Sequence, residues 1–257
     1  MPKLTGSESG INVVNSQFGH SIPPRIRVET LPDEERQRAG HLWSLFVSLE
    51  ASIISFWDAV TLFDYLLPIC DGIDARVQAS ANVGGFPNFE ELHFGAQVRR
   101  WTALAGRDAS VTIFNFSETV AEIVRVAKSC PALHSLMDFQ KLTAASSAFD
   151  ASFPHAKRMR NAVAHAADEV KTERDLNLNS IRKSNVVPGI TIEGGSLFVG
   201  CSIEGRVIRM PNRGKMVTVE VTDAKLNELG RIKSSIYAAF EAVDAVVEAQ
   251  RRIADHR

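Results

Sequence analysis

The stretch LWSLFVSLEASIISFWDAVTLFDYLLPIC, residues 42–70, decides the fold class of this chain. At about 100° per residue, its acids Glu50, Asp58 and Asp64 fall within one arc of roughly 120°. Apolar side chains cover most of the remaining helix surface. Carboxylates are costly in the middle of a bilayer. We therefore expect a long, deeply buried helix of a soluble protein rather than a membrane span.

The composition is that of a globular protein with a substantial core. The 257 residues are 45% apolar and 23% charged, and 29 basic residues nearly balance 30 acidic ones. A chain of this size buries about 70% of its unfolded surface or more, which excludes intrinsic disorder. Because the charges nearly cancel, no global field draws the protein to nucleic acid or to membranes.

Cysteine use favours a reducing compartment. Cys70, Cys130 and Cys201 lie far apart and form no CxxC pair, which argues against a disulfide framework or a zinc knuckle. The first residues, MPKLTGSESG, contain no apolar core of a signal peptide. We therefore expect a cytoplasmic protein.

The polar N-terminal residues 1–30 are predicted to be a flexible tail, and residues 31–257 a single α-rich domain. Pro32 and the acids after it suit the first turn of a helix. This helix should run to about Leu67, where Pro68 ends it, or to Asp71-Gly72 shortly after. A loop or short helix should follow over 71–95. Further helices are predicted near 89–105, 109–128, 134–150 and 153–169.

The pattern changes after residue 188. Apolar and polar residues alternate over 197–204 and 217–222, which predicts strands, and the intervening Gly, Pro and Asn residues predict turns. We expect an antiparallel β-meander at about 190–222, followed by a last helix capped by Thr222 or Asp223. A meander this small cannot hide its own apolar face, so it should dock on the helices. The predicted fold is mainly α, with this β-meander inserted before the C-terminal helix.

One segment, HAKRMRNAVAH at 155–165, groups residues that could carry chemistry. Arg160, Asn161 and His165 form the pattern R-N-x-x-x-H inside a predicted helix. Asn161 and His165 are four residues apart and share one face, which Arg158 joins from seven residues before His165. Arg160 projects about 140° around the helix from His165. The two side chains therefore converge only in a cleft that both sides of the helix can reach.

These side chains suit RNA cleavage without a metal. The imidazole of His165 can take a proton from a ribose 2′-hydroxyl or supply one to the leaving oxygen. Arg160 can bind the scissile phosphate, and Asn161 can hydrogen-bond the substrate or orient the other two groups. Lys157 and Arg158 are predicted substrate contacts. A complete acid–base pair needs two proton-transfer groups, which a symmetric dimer would supply.

The motif R-N-A-V-A-H, in a late helix, resembles the R-x(4–6)-H signature of the HEPN superfamily, in which a polar residue commonly follows the arginine. HEPN domains are helical bundles, often dimeric, and many are metal-independent ribonucleases of toxin–antitoxin, antiviral or RNA-processing systems. The resemblance covers about 31–185 and the final helix. It implies catalytic roles for Arg160, Asn161 and His165 in a HEPN-like helical bundle. It also implies an RNA substrate, a homodimer, a protein antitoxin or regulator as partner, and no metal or cofactor.

Structural interpretations compete with the catalytic one. His165 could be a core or interface histidine bonded to Asp168 or Glu169, and Arg160 could form an ion pair with Asp150 or Glu169. The basic residues of the segment could simply form a solvated helix face.

The looser pattern R-x(4)-H is not unique in the chain. It also occurs at Arg36–His41 and at Arg251–His256, although only Arg160 has Asn next and small residues before the histidine. His155, just after Pro154, is a weaker candidate for a second titrating group.

A second functional hypothesis is a non-catalytic helical interaction module, such as an adaptor or structural subunit. The near-neutral net charge favours it, because RNA substrates normally call for a basic surface. A basic groove around the motif would favour RNA, whereas an apolar or acidic surround would favour a protein partner. A small-molecule sensor, with an enclosed pocket between helices and β-meander, is a minor third class.

Overall fold

The fold is a helical bundle with a small antiparallel sheet before the C-terminal helix, which confirms the predicted fold class. The computed structural model describes residues 22–86, 88–164, 202–212 and 215–244. In these ranges the helices are α1 (Asp33–Asn82), α2 (Phe89–Lys128), α3 (Pro131–Leu136), α4 (Phe139–Ser152), α5 (Ala156–Ala164) and α6 (Asp223–Ala238). A short 3-10 helix, Val28–Thr30, precedes α1.

The chain divides into two compact units. The first contains the residues up to Ile54, Asn115–Pro154 and the residues from Leu226 onward. The second contains Ser55–Phe114 and His155–Lys225. Helices α1 and α2 each contribute one part of their length to either unit. The single domain over 31–257 stays a prediction.

The sheet has the order β1-β2-β3, formed by β1 (Ser202–Glu204), β2 (Val207–Asn212) and β3 (Lys215–Glu220). Both pairings are antiparallel, and Ile208 of β2 lies opposite Val219 of β3. Gly205 turns the first hairpin with φ of 55°, which a glycine adopts without strain. Helix α5 packs against β2 and β3, so the predicted docking of the meander on a helix is confirmed. The part of the predicted meander before Ser202 lies outside the described residues.

Aromatic side chains build the core of the first unit. Phe46 packs edge-to-face against Tyr237 and Phe240, with ring centroids 5.4 and 5.2 Å apart. Phe116 stacks on Phe149 at 5.5 Å. Such pairs add about 0.5–1.5 kcal/mol beyond the area that they bury.

A buried carboxylate organises the start of the short helix α3. Glu35 is only 8% exposed, and its side chain accepts hydrogen bonds from the backbone N–H groups of Ala132 and Leu133, at 3.0 and 3.4 Å. These are two of the amide groups that a helix N-terminus leaves without a backbone partner. Glu35 therefore joins α1 to α3 inside the first unit.

The first unit also holds an ionic cluster of Glu50, Lys233 and Tyr237, in which Lys233 and Tyr237 are buried and Glu50 is partly exposed. The Lys233 ammonium is 3.0 Å from Glu50 Oε1, and its side chain is 5% exposed. The Tyr237 hydroxyl donates to Glu50 Oε1 at 3.0 Å, and Phe46 O lies 3.3 Å from the same hydroxyl. Burial, followed by the Glu50 carboxylate, raises the pKa of Tyr237 well above its usual value.

Tyr237 should make the protein sensitive to alkali. Because its pKa is raised in the folded state, only the unfolded tyrosine releases its proton just above pH 10, and this release favours unfolding. We expect Tyr237→Phe to be about 1–2 kcal/mol less stable than wild type near neutral pH, because the hydroxyl hydrogen bonds are lost. Above pH 10 this difference should shrink by up to about 1.4 kcal/mol per pH unit. Urea unfolding of both proteins from pH 7 to 11 measures it, and a constant difference would contradict the assignment.

The predicted end of the first helix is wrong, because α1 runs through Pro68 to Asn82. Residues beyond the proline join an apolar cluster in which Leu66, Ile73 and Val98 are buried. A proline inside a helix costs about 3 kcal/mol. The burial of this cluster offsets that cost, so residues 71–82 are helical and not a loop.

The predicted break between helices at 89–105 and 109–128 is also wrong. Helix α2 is continuous for 40 residues and includes Gly106. A Cβ atom at this position would lie 2.5 Å from Ile208 Cδ1 and 3.6 Å from Phe63 Cζ. Gly106 is therefore a point of close packing between α2 and the sheet in the second unit.

The expectation of a deeply buried first helix holds for only part of its surface. Leu42, Phe46 and Leu49 are fully buried, whereas Trp43 and Ile54 are about half exposed. Helix α1 is long and apolar enough to cross a membrane by length and composition, and 44% of its most apolar window is buried within the protein. A core helix of a soluble protein passes the same test, so this is weak evidence for a membrane span.

Candidate functional site

Helix α5 carries the described part of the predicted motif. Its buried residues Ala156, Met159 and Ala162 recur every three positions and form one side of the helix, which packs on β2 and β3. The spacing of these small and apolar residues therefore determines which side of α5 faces away from the protein.

The opposite side of α5 is basic and exposed. Lys157, Arg158, Arg160 and Asn161 are all exposed, and the helix contains no acidic residue. Positive side chains attract phosphate groups. The predicted substrate contacts and two of the three predicted catalytic residues thus lie on one accessible surface.

Phe114 supports Arg160 from a neighbouring helix. The Arg160 guanidinium carbon lies 5.3 Å from the centre of the Phe114 ring, a cation–π contact worth about 0.5–1 kcal/mol at an exposed site. Arg160 Nη1 also donates a weak hydrogen bond of 3.5 Å to Asn161 Oδ1. Within the described ranges Arg160 forms no ion pair, with Asp150 or any other acid. Among the described residues, the side-chain contacts of Arg160 are therefore those with Phe114 and Asn161.

Phe114 is a site residue that the sequence did not reveal. It lies 46 positions before Arg160 in a helix that also carries many core residues, and nothing in its spacing marks it. Only the packing of α2 beside α5 brings the ring under the guanidinium.

His165 lies outside the described residues. Helix α5 is described up to Ala164, the residue directly before it. The shared face of Asn161 and His165, and the convergence of Arg160 with His165, therefore stay predictions. His155 lies just before α5, where its backbone carbonyl accepts a hydrogen bond from Met159 N at 2.9 Å.

Two further arginines of the second unit, Arg206 and Arg209, form ion pairs with carboxylates. Arg206 pairs with Asp64 and also donates to the carbonyl of Val221. Arg209 pairs with Glu204 on the neighbouring strand. These two cations therefore add little to a phosphate-binding surface.

The competing motif match at Arg36 has a structural role. Its guanidinium lies 2.6 Å from an Asp33 carboxylate oxygen and donates to the carbonyls of Leu31 and Glu29. These contacts hold the guanidinium at the N-terminus of α1. The Nε2 atom of His41 lies 3.9 Å from Glu122 Oε1. The second match, Arg251–His256, lies outside the described residues.

The described ranges contain no group of three or more His, Cys, Asp or Glu side chains that could hold a metal ion. Burial raises the pKa of the thiols of Cys70 and Cys130. Hydrogen bonds to Thr102 and Ser129 oppose this effect without reversing it. A nucleophilic cysteine needs a lowered pKa, so neither thiol is a candidate nucleophile.

No protein-family model, curated protein or solved structure matches this chain. The HEPN resemblance therefore depends on the motif and on the mainly helical fold.

Proposed function

We propose that this protein is a HEPN-like RNA-binding protein that acts as a metal-independent endoribonuclease of a toxin or defence type. The observation that supports this proposal most is the exposed basic side of α5, on which Arg160 rests against Phe114 beside Asn161. A preorganised guanidinium loses less side-chain entropy when it binds a phosphate. Lys157 and Arg158 extend the same face along the sugar–phosphate chain.

In the proposed reaction, His165 of one protomer takes the proton of a ribose 2′-hydroxyl, and the 2′ oxygen attacks the adjacent phosphorus. The bond from phosphorus to the 5′ oxygen breaks, and protonated His165 of a second protomer supplies the proton to that oxygen. The products are a 2′,3′-cyclic phosphate and a free 5′-hydroxyl. Arg160 stabilises the charge that grows on the phosphate oxygens, and Asn161 orients the substrate. We propose a cytoplasmic homodimer whose activity a protein antitoxin or regulator controls.

The test is cleavage of total RNA in the presence of EDTA by wild type and matched variants. We expect His165→Ala to lower the cleavage rate by about 100-fold or more, as loss of a general acid–base does. Arg160→Ala should have a similar effect, and Arg160→Lys a smaller one, because lysine keeps the charge but loses the planar fork. His41→Ala, in the competing motif match, should cleave at the wild-type rate.

Equal cleavage by wild type and His165→Ala would contradict the acid–base role proposed for His165. Gel filtration of each variant tests the dimer, and circular dichroism confirms that each one folds.

A non-catalytic interaction module is the second candidate function. The near-neutral net charge favours it, and so does a set of exposed apolar side chains on α1 and α2. If no protein in the series cleaves RNA, filter binding of labelled RNA decides between the two. Binding that is lost in Arg160→Ala would support an RNA-binding protein without turnover, and absence of binding would favour the interaction module.

A further inference from the structure

In the second unit, α1 and α2 run antiparallel with a defined register. A Cβ atom at Gly95 would lie 3.1 Å from Ile73, and one at Gly106 would lie 3.6 Å from Phe63. Further along the same pair, the carboxylate of Asp108 acts electrostatically on Asp58. These pairs align the two helices, so a residue of α1 lies beside the residue of α2 at the same height along the pair.

The sheet packs against one side of this helix pair, because Ile208 of β2 and Phe63 of α1 both lie next to Gly106. Asp58 lies about 140° around α1 from Phe63. Asp108 lies about 160° around α2 from Gly106. Both carboxylates are exposed, so they mark the side of the helix pair that the sheet does not cover.

The uncovered side is rich in large apolar side chains. Leu62 and Tyr65 lie within about 40° of Asp58 on α1, and Trp101 and Leu104 lie within about 40° of Asp108 on α2. All four are roughly half exposed. We call this surface the apolar–acidic face, and it consists of Asp58, Leu62, Tyr65, Trp101, Leu104 and Asp108.

The apolar side chains of the apolar–acidic face offer enough surface to bind a single helix. These four side chains expose on the order of 400–500 Å², which is near the upper end for a monomer surface. A stable protein–protein interface needs about 800 Å² from each partner. The face extends over eight residues of α1, from Asp58 to Tyr65, or roughly 12 Å, which is the length of about two helical turns.

The two carboxylates of the apolar–acidic face favour a partner that carries positive charge. Partial burial and the neighbouring Asp108 raise the pKa of Asp58. A second copy of this chain would bring two more carboxylates to the same surface, at an electrostatic cost. A lysine or arginine from a partner would relieve the repulsion between the two acids.

We propose that the apolar–acidic face docks an amphipathic helix of a partner protein that carries lysine or arginine beside its apolar stripe. The partner helix lies along the groove between α1 and α2, with apolar anchors at helical spacing against Tyr65, Trp101 and Leu104. Its basic residue binds between Asp58 and Asp108. This surface does not depend on the proposed ribonuclease site.

Two synthetic helical peptides of about 18 residues test the chemistry. Both carry the same leucine stripe, one with lysine and the other with glutamate beside it, and fluorescence anisotropy measures their binding at low salt. We expect the lysine peptide to bind the full-length protein at least about tenfold more tightly. Asp58→Asn combined with Asp108→Asn should reduce this preference to less than about threefold.

Leu104→Ser should weaken binding of the lysine peptide about tenfold. Leu92→Ser is the matched control, because Leu92 is 39% exposed on the same helix but lies about 160° from Asp108. Equal binding of the two peptides, or equal effects of the two serine variants, would overturn the proposal.

A photo-crosslinking residue at position 104, with position 92 as control, tests the occupant in cells. We expect a crosslink from position 104 to one protein, within a segment that has apolar residues at helical spacing and a neighbouring Lys or Arg. A crosslink to another copy of this chain, to lipid or to RNA would contradict the proposal.

Discussion

Replacing Glu50 with Leu is expected to lower the free energy of unfolding by about 3–5 kcal/mol, the cost of leaving one buried charge without its partner. Glu50 is the acid that lies 3.0 Å from the Lys233 ammonium, and Lys233 is 5% exposed. Leucine fills a similar volume but accepts no hydrogen bond from Lys233 or Tyr237. Urea unfolding monitored by circular dichroism measures the loss.

Two controls separate charge burial from ordinary packing. Glu122→Leu disrupts the exposed ion pair with Arg125 and should cost less than about 1 kcal/mol. Adding Lys233→Met to Glu50→Leu should restore most of the lost stability, because a buried ion pair can be replaced by apolar residues at little cost. If the double variant is less stable than Glu50→Leu, the unpaired ammonium is not the source of the loss.

Replacing Gly106 with Leu is expected to lower the free energy of unfolding by about 2 kcal/mol. Even the first side-chain carbon would approach Ile208 Cδ1 to 2.5 Å, and Ile208 is completely buried. Overpacking of a filled core typically costs about 1–3 kcal/mol. The gain from replacing a helical glycine, about 1 kcal/mol or less, offsets only part of that cost.

Gly72→Leu is the matched control for this prediction. Gly72 lies inside α1, and a Cβ atom there would meet only the Arg76 side chain, at an ordinary 3.5 Å. This variant should be neutral or up to about 1 kcal/mol more stable. Ile208→Ala removes side-chain volume next to residue 106. It should therefore lower the free energy of unfolding less in the Gly106→Leu protein than in wild type. Equal costs of Ile208→Ala in both backgrounds would show that the two positions do not compete for space.

Local patterns predicted the elements whose signals are short-range. Alternation over 217–221 predicted β3, and the polar residues before Leu226 predicted the start of α6, where Thr222 Oγ1 accepts from Lys225 N at 3.3 Å. Each of these signals acts within a few residues of the chain, so no tertiary information was needed to read them.

The breaks assigned at Pro68 and near Gly106 were wrong for a common reason. Proline and glycine disfavour a helix locally, but their cost is only about 1–3 kcal/mol. Burial of the residues around them supplies more than that, through the Leu66 cluster in one case and the Ile208 contact in the other. Long-range packing therefore extended both helices beyond the ends that local propensity predicts.

The sequence by itself determined a mainly helical fold, a β-meander before the last helix and the basic stretch that became the exposed side of α5. The tertiary structure alone decided that Phe114 lies beneath Arg160, that Lys233 is buried on Glu50, and that the side of α1 and α2 away from the sheet leaves large apolar residues exposed. Helical periodicity specifies which residues share a face, because it follows from backbone geometry. It does not specify which faces meet, since that choice depends on the packing of side chains far apart in the chain.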